Sequence, residues 1–94
     1  MGMRIYEEFL SERYLGLLKQ LVKIDEFSSV GKAIEWSIVD LLIEHASFGH
    51  IEMYEPHTAQ TLIKKGYYPN QEEFIRESVR KFLKKKGMWS RRYN

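Results

Sequence analysis

Ninety-four residues are enough for one small domain, or for two very small units packed as one. A 44% hydrophobic and 30% charged composition is that of a folded chain, and zero cysteines rule out a disulfide framework, a thiolate metal site and a cysteine nucleophile. The net charge of +2 is uneven: residues 1–48 hold five Lys/Arg against eight Asp/Glu, and residues 49–94 hold ten against five.

The opening residues, Met1 to Glu8, lack the apolar stretch of a signal peptide, and no uncharged apolar run nears the roughly 18 residues that span a bilayer. A cytoplasmic location with no membrane partner is therefore expected. Arg4-Ile5-Tyr6-Glu7 can form a short extended stretch. Leu10, Tyr14, Leu17, Leu18, Leu21 and Val22 then recur at helical spacing and predict a helix over about 10–24. Ser28 and Ser29 offer N-caps for a second helix over roughly 29–46, with Ala33, Ile34, Ser37, Ile38, Leu41 and Leu42 as its buried stripe. Trp36, Val39 and Ile43 add apolar surface on another face of that helix, which predicts cover on more than one side.

Ser47-Phe48-Gly49 ends this helix, and the alternation in His50-Ile51-Glu52-Met53-Tyr54-Glu55 reads as a second short strand, halted by Pro56. A third helix is expected over about 56–65, closed by Gly66 as its C′ residue. Asn70 caps a fourth, in which Phe74, Ile75, Ser78, Val79, Phe82 and Leu83 share one face before Gly87.

A shift of 41 lays Lys23–Leu42 over Lys64–Leu83 without a gap. Phe27 meets Tyr68, Ser29 meets Asn70, Ser37 meets Ser78, and Leu41-Leu42 meets Phe82-Leu83. The match points to an internal duplication, with units at 1–47 and 48–86 and a basic tail at 87–94.

The stretch Gly66-Tyr67-Tyr68-Pro69-Asn70-Gln71-Glu72-Glu73-Phe74-Ile75-Arg76-Glu77-Ser78-Val79-Arg80 resembles the helix-to-helix junction of the ribbon-helix-helix superfamily, here in a tandem duplicated form. The resemblance implies a mainly α fold with a short two-stranded antiparallel ribbon, built as an intrachain pseudo-dimer or a chain-swapped dimer. It also implies a partner, double-stranded DNA, with the ribbon in the major groove and helix N-termini against phosphate. Carried onto this sequence, Arg4, Tyr6, Glu52 and Tyr54 would face base edges, and Ser28, Ser29 and Asn70 would approach phosphates. Glu8 and Glu52 sit awkwardly on such a ribbon, because acidic side chains repel the DNA backbone.

Apart from the resemblance, Ser28, Ser29 and Asn70 read first as caps. The basic tail and its approach, Lys84, Lys85, Lys86, Arg91 and Arg92, reads as a solvated end, as a clamp on nucleic acid with Trp89 and Tyr93, or as a grip on a protein partner. His45, His50 and His57 lie near Glu44, Glu52 and Glu55, but no two histidines have the His-x-x-x-His spacing of a helical metal site. No phosphate loop or nucleophile elbow is present, so neither a cofactor nor catalysis is expected.

The expected function is thus a small DNA-binding regulator or antitoxin-like repressor. The alternative is a degenerate ribbon-helix-helix scaffold that mediates protein–protein contacts without DNA, as the acidic first half and the apolar excess around Trp36 suggest. A third reading is a plain helical dimer in which residues 3–7 and 50–55 are not strands. Homo-oligomers fit all three.

Overall fold

The computed structural model describes residues 7–52 and 58–88. Among these, every regular element is a helix: α1 (Glu12–Lys23), α2 (Val30–Ser47), α3 (Thr58–Lys64) and α4 (Gln71–Lys85). Their order and spans follow the periodicity of the apolar residues to within about two positions at each described end.

The helix starts are capped as their residue types require. The Ser29 hydroxyl accepts from the Lys32 N–H at 3.1 Å, and the Asn70 side-chain oxygen accepts from the Glu73 N–H at 2.9 Å. All four helices end in the same closure, a left-handed residue after the last turn with two backbone bonds folded back. Gly49, Gly66 and Gly87 hold that position after α2, α3 and α4, and Asp25 holds it after α1 with φ of 62°.

One core unites the helices. Helix α2 packs against both α1 and α4, while α3 lies on α4. Leu18, Leu21, Ala33, Ile34, Leu41, Leu62, Phe74, Ile75, Val79 and Leu83 are buried there. The two buried serines satisfy themselves locally: Ser37 Oγ donates to the Ile34 carbonyl at 2.7 Å and Ser78 Oγ to the Ile75 carbonyl at 2.8 Å. Phe27 meets Phe82 edge-on at 5.7 Å, joining the α1–α2 turn to α4. Arg76 Nε donates to the Phe9 carbonyl at 2.9 Å and fixes the entry to α1 on the same helix.

Among the described residues the expected two-stranded ribbon is not present, and the ribbon-topped pseudo-dimer or swapped dimer is corrected there to an all-helical globule. Glu7, the last residue of the first supposed strand, is helical, and its carbonyl accepts from the Leu10 N–H at 3.1 Å. At the second, the His50 N–H turns back to the His45 carbonyl at 3.0 Å instead of reaching a neighbouring strand. Ile51 is buried between the half-buried His50 and the exposed Glu52, so the alternation marks one apolar anchor in a connecting segment. Residues 3–6 and 53–55 of the supposed strands lie outside the described residues.

Candidate interaction surface

Helix α2 is apolar on two opposed faces. One carries the buried Ala33, Ile34, Ser37 and Leu41. On the other, Trp36, Val39 and Ile43 stand three and four residues apart, so successive side chains fall on one stripe. They are 56%, 40% and 49% exposed, whereas Ile34 is fully covered. Glu35, Trp36 and Val39 line a hollow of about 220 Å³ on this outer face.

The polar groups bordering the stripe are paired. Lys32 Nζ lies 3.5 Å from the Glu35 carboxylate, and Lys85 Nζ donates to Asp40 at 2.7 Å. The Asp40 bond holds the Lys85 ammonium above its ordinary range. One turn further on, Lys81 donates to Glu44 at 2.9 Å. The stepped pairs 81–44 and 85–40 set α4 antiparallel along α2, with acids from α2 opposite bases from α4.

These pairs change the meaning of the basic run. Of the residues expected to grip an anionic partner, Lys85 is bound to Asp40 and Lys86 to Glu26 at 2.8 Å. Lys84 is exposed, without an ion pair among the described residues. Arg80 pairs with Glu77 within α4. Arg91 and Arg92 lie outside the described residues, as do Arg4, Tyr6 and Tyr54 of the supposed base-reading set. Glu52 is exposed. The three supposed phosphate contacts separate by role: Ser29 and Asn70 spend their side-chain oxygens on caps, and Ser28 is exposed one residue earlier.

A second cluster went unread because its residues are not spaced along one helix face. The chain reverses at Gly49 and returns His50 to His45, leaving the two Nδ1 atoms 2.9 Å apart. His45 Nε2 lies 2.8 Å from the Tyr68 hydroxyl, and His50 stacks on Tyr67 at 4.4 Å and 21°. Burial, then the neighbouring His50 and Lys81, press His45 below its ordinary value of 6.5, with Glu44 opposing. Burial and Glu44 hold the Tyr68 hydroxyl above its ordinary 10, with Arg80 opposing. The signal in the sequence was the helix-ending glycine between the two histidines. Among the described residues no three His, Cys, Asp or Glu side chains converge as metal ligands; His57 lies outside them. No helix among the described residues is long and apolar enough to cross a membrane. Compared with known protein families, curated proteins and solved structures, the chain matches none of them.

Proposed function

We propose that this chain is a helical protein-interaction module that performs no reaction and associates, weakly and reversibly, with a second copy of itself through the outer face of α2. The observation that carries the reading is the Trp36–Val39–Ile43 stripe, left open on a helix whose opposite side is fully buried. Side chains at three- and four-residue spacing form the kind of seam that a facing helix packs into.

A second copy suits the face for two reasons. With two α2 helices antiparallel about Val39, each Trp36 packs near the partner's Ile43, so every apolar group finds another. The charges beside the stripe are already paired, Lys32 with Glu35 and Asp40 with Lys85, so an identical face meets no unpaired charge there. Three half-exposed side chains per copy fall short of the roughly 1,200–2,000 Å² buried in stable complexes, hence the weak association. The described residues contain no strand that could enter a DNA groove.

Sedimentation equilibrium from about 10 μM to about 1 mM tests the proposal, a range set by the affinity of small interfaces. The wild-type chain should pass from monomer toward dimer, and Trp36→Glu with Ile43→Glu, which sets like charges opposite each other across the seam, should hold it monomeric. A wild-type chain monomeric throughout sinks the reading, as does a double variant that dimerises equally. Salt-sensitive binding to duplex DNA at low ionic strength would support a nucleic-acid role instead.

A further inference from the structure

We infer that His45 and His50 form a proton-operated clasp, which holds the segment after α2 against the turn before α4 and releases it in acid. This does not depend on self-association; it rests on a separate set of contacts.

The two Nδ1 atoms are 2.9 Å apart, a separation that accommodates a single proton between them. With both rings neutral, one donates and the other accepts. A first proton does not break the chain: a charged His45 gives Nδ1–H to His50 and Nε2–H to the Tyr68 oxygen 2.8 Å away. A second proton turns both facing nitrogens into donors and sets two positive rings against each other. The doubly charged state is therefore incompatible with the closed geometry.

The surroundings sharpen this. Glu44, on α2, is the acid that could shelter a second imidazolium, but Lys81 from α4 already holds it at 2.9 Å. Lys65, just after α3, donates to the His50 carbonyl at 2.8 Å, and Arg80 of α4 acts on Tyr68. The neighbouring cations therefore oppose further positive charge, and the Tyr67 ring stacked on His50 supplies no acceptor for it. Once the second proton is bound, His50 leaves Tyr67, and the strain falls on a link whose anchor is the buried Ile51.

Proton NMR of the His, Tyr67, Tyr68 and Ile51 signals, followed from about pH 7.5 to about pH 5, reads the clasp directly. In the wild type, the ring-current shifts of His50 and Tyr67 should collapse together below pH 6.5, with Ile51 moving in the same transition while the helical far-UV signal persists. His50→Asn offers a neutral amide in place of one Nδ1, and His50→Phe keeps a ring over Tyr67. In whichever variant retains the wild-type helical signal, Ile51 and Tyr67 should stay put across the range. Wild-type signals that do not move together overturn the proposal. So does a folded variant that shows the wild-type acid transition at Ile51.

Discussion

At the scale of single residues, the four helix ends make one comparison unusually clean. Each uses the same closure, with one N–H returning to the third-last carbonyl and one to the second-last. Glycine supplies the left-handed residue three times; Asp25 supplies it once, at φ 62°. An L side chain there costs energy that glycine does not, although aspartate tolerates the region better than most residues. Its carboxylate also lies at a helix C-terminus, where the backbone dipole disfavours negative charge. Asp25→Gly should therefore raise stability by about 0.5–1 kcal/mol. A higher urea midpoint at unchanged slope would record it; a lower midpoint would mean that the Asp25 side chain makes a stabilising contact. The Gly66 and Gly87 closures were legible because glycine after an apolar run is a strong stop signal. Asp25 was not, because aspartate is equally at home in an ordinary loop.

At the scale of elements, α2 explains both what the sequence disclosed and where it misled. Apolar residues around most of a helix predict cover on several sides. The described residues bury one face and leave Trp36, Val39 and Ile43 partly exposed on the other, because periodicity reports which residues are apolar and not what lies opposite them. The two faces should respond differently to truncation. Ile34→Ala empties a fully covered site and should cost about 2–5 kcal/mol. Trp36→Ser removes a larger side chain from an open face and should change monomer stability by no more than about 0.5 kcal/mol. Urea unfolding at a few micromolar protein, where a weak dimer is dissociated, separates the two effects. A large loss from Trp36→Ser would place that indole in the monomer's core. The supposed strands failed for a related reason. The second rested on the alternation over residues 50–55; among its described residues Ile51 alone is buried, and alternation does not distinguish a strand from a link pinned by one buried side chain.

Over the whole molecule, the 41-residue shift aligns conformations as well as residue types. Asp25 and Gly66 share the left-handed closure, Ser29 and Asn70 the cap, Ser37 and Ser78 the buried hydroxyl, and Leu21 and Leu62 the core. The His45–Tyr68 contact joins the end of α2 to the turn before α4. Both ends of that hydrogen bond titrate, in opposite directions from their ordinary values. His45 is pressed below 6.5, so the folded chain binds fewer protons there than the unfolded one; its contribution is complete above pH 6.5 and fades as the pH falls toward the lowered value. Tyr68 is held above 10, so its contribution is complete below pH 10 and fades as the pH rises toward the raised value. Their combined contribution should form a plateau between those limits. Tyr68→Phe should remove the alkaline loss attributable to this ring, while His45→Gln should flatten part of the acid loss and leave the alkaline limb. Urea midpoints across the pH range check this by difference from the wild type, which subtracts the carboxylates and lysines common to all three proteins. An alkaline limb unchanged in Tyr68→Phe would mean that the hydroxyl ionises as readily in the folded chain as in the unfolded one, and that the joint is not sensed from that side.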